Sequence, residues 1–171
     1  MVGGSGAFYI MSLPGAGSWC VQNAVIAVAF SREPDLATLN GRAQVKKKSD
    51  NVVVPGRWSA GAKKSIALFT PEGSCAPVAG NNCLEQNTDY RLEFSDTAKV
   101  RAADNGPALN CSLKAGCGPV EFKSGAGIDR EPPQLNFSAP AANSSVQSGT
   151  IVPATIAFTD DQGIQQISLY Q

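Results

Sequence analysis

Wherever the chain shows periodicity, apolar and polar residues alternate with period two, and no run of helical spacing exceeds two turns. The clearest case is Asp89-Tyr90-Arg91-Leu92-Glu93-Phe94-Ser95. Tyr90, Leu92 and Phe94 fall on one face, and Arg91, Glu93 and Ser95 on the other, which predicts a half-buried strand. Ile26, Val28 and Phe30 alternate with the smaller Val25, Ala27 and Ala29, the pattern of a more buried central strand. Further strands are expected at 43–48, 51–58, 64–70 and 119–124, separated by turn chemistry at Pro55-Gly56, Asn105-Gly106-Pro107 and Gly116 to Pro119. One short helical turn is expected from Asp35 to Leu39, directly after Pro34. Short strands at this spacing predict an antiparallel β-sandwich.

The pattern breaks at Ser124-Gly125-Ala126-Gly127-Ile128-Asp129-Arg130-Glu131-Pro132-Pro133. Small glycines followed by a stiff Pro-Pro predict a domain junction, because proline fixes its own φ and restricts its predecessor. A second alternating series follows: Leu135 and Phe137, then Ala154, Ile156 and Phe158, then Ile167 and Leu169. A sandwich of roughly 100 residues needs about seven strands, and three leave hydrogen-bonding edges open. The expected organisation is a flexible lead at 1–6, a first domain at 7–127, a junction at 128–133, and a truncated second sandwich at 134–171.

Composition narrows the chemistry. The 171 residues hold 14 basic and 14 acidic side chains and no histidine. Zero net charge argues against nucleic acid or anionic lipid as a partner, since neither would be attracted over long range. Without histidine there is no Ser-His-Asp or Cys-His pair and no imidazole zinc ligand. No segment approaches the roughly 20 apolar residues of a membrane span, and the N-terminus lacks the basic and apolar regions of a signal peptide. Four of the five cysteines stand as two close pairs, Cys75 with Cys83 and Cys111 with Cys117, which read as disulfide-closed loops of an oxidising compartment. No pair has the CxxC spacing of a metal site. Spacing alone does not fix connectivity, and Cys20 is left over. The simplest account is a piece of a longer exported protein.

Residues 8–127 resemble the SbsA-type bacterial Ig-like domain of surface-layer and multidomain exported proteins. The resemblance rests on Pro14-Gly15-Ala16-Gly17, the strand Asn23 to Ser31, the turn Asp35 to Asn40, Val54-Pro55-Gly56, Ala67 to Pro71, Leu84 with Tyr90 six residues on, and Asp104-Asn105-Gly106 before a strand ending near Phe122. The clustered cysteines and the loop between Thr70 and Leu84 are additions to that pattern. Residues 132–171 are similar to the first half of another bacterial Ig-like repeat, through Pro132-Pro133, Pro140 to Asn143, Ser148-Gly149 and Phe158 to Ile164. The resemblance implies an Ig-like antiparallel fold and tandem modules acting as spacers or adhesive units, with no catalytic residues.

Several residues carry candidate chemistry. Asp160 and Asp161 are expected in a solvated turn after the second-domain strand; the functional alternative is a calcium site at a hinge, because an antiparallel pair would return them beside Asp129 and Glu131, and four carboxylates there would repel unless a cation joined them. Tyr90 after Leu84 resembles a tyrosine corner, in which the hydroxyl bonds nearby backbone and pins a chain crossing. Trp58 is the candidate glycan contact, since aromatic faces suit sugar rings, although core or edge packing suits both Trp58 and Trp19. Lys46-Lys47-Lys48 predicts a solvated strand edge. Gly15 and Gly17 give no nucleotide loop, because no helix follows. The expected protein is a non-catalytic spacer or adhesive module, extracellular, at the cell surface or periplasmic. It needs no cofactor unless calcium binds, and its partners are neighbouring domains of the same polypeptide and a candidate surface or polysaccharide ligand. The alternative is an accessory module of a secreted hydrolase.

Overall fold

A computed structural model describes residues 6–19, 21–76, 80–131, 134–139, 145, 147–153 and 155–160. The chain divides into two compact units, Met1–Ile128 and Asp129–Gln171.

In the first unit the strands are β1 (Ile10–Ser12), β2 (Gly17–Ser18), β3 (Ile26–Phe30), β4 (Ala43–Lys47), β5 (Gly56–Ala60), β6 (Ile66–Pro71), β7 (Gly73–Ser74), β8 (Asn81–Cys83), β9 (Asp89–Phe94) and β10 (Val120–Lys123), with a single-turn helix α1 (Leu36–Leu39) after β3. Two four-stranded sheets, ordered β1-β3-β6-β5 and β2-β10-β9-β4, make an all-β sandwich. Every neighbour pair in them is antiparallel except β2 with β10.

The alternation read from the sequence is what closes the core. Tyr90 and Leu92 of β9 are buried while Arg91 and Glu93 are only half-buried, and Phe122 of β10 and Val45 of β4 point inward beside them. Ile26, Val28 and Phe30 of β3 meet this layer from the opposite sheet, together with Ala67 and Phe69 of β6. Three ring stacks join neighbouring segments within the sheets: Phe8 on Phe30 with centroids 5.2 Å apart, Trp19 on Phe122 at 4.0 Å, and Tyr90 on Phe122 at 5.7 Å. Helix α1 forms where expected. Asp35 caps it, its carboxylate accepting from the Ala37 amide at 3.0 Å, and Leu39 is fully buried.

The strand expected at 51–58 begins later, at Gly56. Its first half is consumed by a turn: the Asn51 amide donates to the Lys47 carbonyl, Asn51 takes φ 61°, and the Asp50 carboxylate accepts from the Val52 amide. Gly56 opens β5 because nothing larger fits there. A Cβ at this position would lie 2.2 Å from the Phe69 ring and 2.7 Å from the Thr70 carbonyl oxygen.

In the second unit, β11 (Gln134–Ala139) pairs antiparallel with β12 (Thr155–Thr159), matching Gln134 to Thr159 and Leu135 to Phe158. The expected third strand, with Ile167 and Leu169, lies outside the described residues, as do Pro132, Pro133, the turn at 140–144, and Cys20 of the first unit.

Candidate functional site

The polar features of the first unit gather around the crossing from β8 to β9. Leu84, buried to 1 % exposure, drives this segment into the core, and its amide donates to the Gln22 carbonyl at 2.8 Å. One residue on, the Glu85 amide donates to the Tyr90 hydroxyl at 2.8 Å. The Tyr90 ring is buried against Phe122, so its phenol spans from the core to the crossing and ties the backbone there.

Two further residues, which carry no periodic or motif signal, complete this ring of contacts. Ser124 is buried. Its hydroxyl donates to the Glu85 carbonyl and accepts from the Thr88 amide at 3.1 Å, while its own amide donates to the Thr88 carbonyl at 3.0 Å. Gln22 is also buried, and its side-chain amide donates to the carbonyls of Ala76 and Ala126. Both are buried polar residues whose side chains are satisfied by backbone groups of segments distant in sequence.

Burial raises the Tyr90 phenol above its ordinary value near 10, with the hydrogen bond from the Glu85 amide opposing that shift. The folded state therefore holds this proton more tightly than the unfolded chain. Its contribution is whole below the unfolded value and is lost as pH rises from there through the folded one. Tyr90→Phe is expected to lose about 0.5–1.5 kcal/mol at neutral pH by removing the acceptor of the Glu85 amide. It should also show a flatter decline in stability above pH 10 than the wild type. Urea titrations at pH 7 and pH 10.5, followed by tryptophan fluorescence, check both.

Beside the crossing lies an open cleft of about 620 Å³, lined by Lys47, Lys48, Asp50, Glu85, Thr88 and Asp89 among others. Its lysines are paired within the chain. Lys47 pairs with Glu85, and Lys48 with Glu121 at 2.7 Å; next to them Lys46 pairs with Glu93. The hydrogen bond to Glu85 raises the Lys47 ammonium above its ordinary value. The lysine run is thus a row of ion pairs along β4 and its exit. A surface row like this contributes little stability, because solvent screens the pairs and ordering long side chains costs entropy.

Both close cysteine pairs are disulfides. Cys75 is bonded to Cys83, and Cys111 to Cys117, each with 5.1 Å between Cα atoms. The first is buried and closes the β7–β8 ribbon; the second is half-buried in the connection from β9 to β10. Trp58 is half-buried. Its indole N–H donates to the Ala43 carbonyl at 3.1 Å, and its ring tilts at 56° onto Phe69 with centroids 5.4 Å apart. Trp19 is buried, its N–H donating to the Gly15 carbonyl.

In the second unit the β11–β12 register, with Gln134 opposite Thr159, carries Asp160 to the end of the ribbon at which Asp129 and Glu131 enter. The Asp129 carboxylate accepts from the Glu131 amide at 3.1 Å. Asp161, the fourth expected calcium ligand, lies outside the described residues. Among the described residues no group of three or more Asp, Glu, Cys or His side chains is placed to hold a metal ion. No described helix is long and apolar enough to cross a membrane.

No protein-family model and no curated protein matches the chain. Solved structures resemble it distantly. The surface-layer protein SbsC, domains 1–6, is 13 % identical with a TM-score of 0.46, covering 77 % of this chain and 15 % of that one. The N-terminal part of the bacterial S-layer protein SbsC is 9 % identical with a TM-score of 0.45, covering 93 % and 42 %. The native conformation of E. coli alpha-2-macroglobulin is 14 % identical with a TM-score of 0.45, covering 77 % and 7 %. The chain thus spans less than half the length of each of these structures.

Proposed function

We propose that this chain is a non-catalytic, Ig-like structural module of a larger exported or cell-surface protein, working as a spacer between neighbouring domains. The observation that carries the reading is where the polar side chains go. Gln22, Ser124 and Tyr90 are spent on backbone groups, Lys46, Lys47 and Lys48 on carboxylates, and the Trp58 N–H on a carbonyl. A catalytic or recognition site normally keeps convergent polar groups unspent in a concave pocket. Two disulfides in a unit of this size agree with an oxidising compartment.

The competing function is an accessory polysaccharide-binding module, with Trp58 as its sugar-stacking face. A glycan array probed with the full chain separates the two. The spacer reading expects no saturable binding. Saturable binding that disappears in Trp58→Ala, with that variant's thermal transition retained, overturns it in favour of the accessory module.

A further inference from the structure

We propose that the first unit is built to carry tension, through a shear clamp formed where its entry segment lies parallel to its exit segment. This inference rests on the spacer reading and gives it a mechanical task.

Apart from an isolated parallel bridge between Phe8 and Leu109, this pair is the departure from otherwise antiparallel pairing among the described strands. β2 runs beside β10 with Phe122 opposite Gly17 and Lys123 opposite Ser18, and the alignment continues to a parallel bridge between Val21 and Gly127. Backbone bonds stitch the two segments over this length. The Trp19 amide donates to the Lys123 carbonyl at 2.7 Å, the Gln22 amide to the Gly127 carbonyl at 2.8 Å, and the Gly125 amide to the Val21 carbonyl at 3.3 Å. One segment belongs to the chain's way in and the other to its way out towards Asp129.

Direction decides what such a pair does under load. Tension on the ends of the chain draws the entry segment backward along its axis and the exit segment forward along the same axis. Two parallel strands are then pulled past each other, so all their cross-strand bonds resist together. Had the two been pulled from the same end, the bonds would open one at a time. Parallel ladders are, if anything, slightly less stable per residue than antiparallel ones. The arrangement therefore gains nothing obvious at equilibrium, and its advantage lies in resistance along one axis.

The surroundings brace the clamp at both flanks. Trp19 anchors the entry segment by stacking on Phe122 of the exit strand, centroids 4.0 Å apart and planes within 7°. The Gln22 side chain reaches the Ala126 carbonyl across the pair and the Ala76 carbonyl beyond it. On its other side the exit segment is held through Ser124 to Glu85 and Thr88, and the Asn87 amide donates to the Gly125 carbonyl at 3.3 Å. The Ser-Gly-Ala-Gly stretch, which as sequence resembles a loose linker, is thus tied on two sides. Neither disulfide crosses this pair, since each closes a short local loop with a sequence separation of 8 or 6. The hydrogen-bonded pair itself must bear the load.

The test is single-molecule pulling on the full chain in two geometries. One places handles at exposed Ala16, between β1 and β2, and at the C-terminus, which loads β2 and β10 in shear. The other places them at Ala16 and at exposed Lys114, ahead of β10, which peels the same pair from one end and leaves the Phe8–Leu109 bridge outside the loaded path. Forced unfolding reports the barrier to unfolding, so a shear clamp should raise the rupture force of the first unit roughly twofold or more over the peeling geometry. The first unit is recognised by its contour gain of roughly 300 Å, at about 3.5 Å per released residue outside the disulfide loops. Gly125→Pro, which removes one clamp donor, should lower the shear rupture force while moving the peeling force little. Equal forces in the two geometries overturn the clamp whether or not that variant folds, and leave the spacer reading standing. Saturable glycan binding beside a strong clamp removes the spacer reading alone.

Discussion

Phe122→Ala is expected to destabilise the first unit by about 3–5 kcal/mol, the range for truncating a buried aromatic ring. Phe122 is 3 % exposed and sits on β10 between β2 and β9. Its ring is the middle of a three-ring stack, with Trp19 on one side and Tyr90 on the other. Aromatic pairs contribute ~0.5–1.5 kcal/mol beyond their buried area, so removing the middle ring forfeits two such contacts as well as leaving a cavity. Against a total stability of roughly 5–15 kcal/mol, that is about a fifth of the margin or more. The corresponding fall in melting temperature is roughly 10–20 °C. Val53→Ala, at a side chain 44 % exposed, should stay within about 0.5 kcal/mol and serves as the comparison. Both tryptophans lie in the first unit, so their fluorescence during urea unfolding reports on that unit directly. A loss under about 1 kcal/mol for Phe122→Ala would show that the stack does not hold β2, β10 and β9 together.

The residues of that stack also show how far a sequence of this kind discloses its structure. β9, β3, β4 and β10 were legible because each presents at least two inward positions at period two, such as Tyr90 with Leu92, or Ile26 with Val28. β1, β2, β7 and β8 run for only two or three residues, too short for any period to register, and they form because longer neighbours offer them an edge. β5 was displaced because an Asn-centred turn and a close glycine contact outrank the alternation of Val52 and Val54. The disulfide pairs could be suspected from spacing, yet two close pairs are also compatible with other connectivities, and only the ribbon of β7 with β8 brings Cys75 to Cys83. Gln22 and Ser124 were invisible for a plainer reason. A buried polar residue is justified by the backbone groups it meets, and those come from segments distant in sequence, here Ala76, Ala126, Glu85 and Thr88. The candidate calcium ligands are a different case, since their meaning depends on Asp161, beyond the described residues.

The other large effect expected is from the disulfides. Loops this short lose about 2–3 kcal/mol each when opened, because closure removes freedom mainly from the unfolded chain. Opening both is therefore expected to cost roughly 4–6 kcal/mol, comparable with the whole margin of many small domains. The two bridges should separate when removed singly. Cys75 and Cys83 are 5 % and 2 % exposed, so Cys75→Ser with Cys83→Ser buries two hydroxyls in addition to releasing the loop. Cys111 and Cys117 are only half-buried, so the same substitutions there should cost little beyond loop release. Serine replacement of the buried pair is thus expected to cost about 1–3 kcal/mol more than serine replacement of the other, while Cys→Ala changes, which bury no hydroxyl, should bring the two pairs closer together. Urea titrations of the four double variants, with the fully reduced wild type alongside, provide the measurement. Equal losses for the two serine pairs would mean that burial at Cys75 and Cys83 does not matter, and that the β7–β8 ribbon can turn its serines out to water. A large loss confined to the buried pair would instead make that ribbon part of the core's closure, since it lies next to Leu84 and to the crossing that Tyr90 holds.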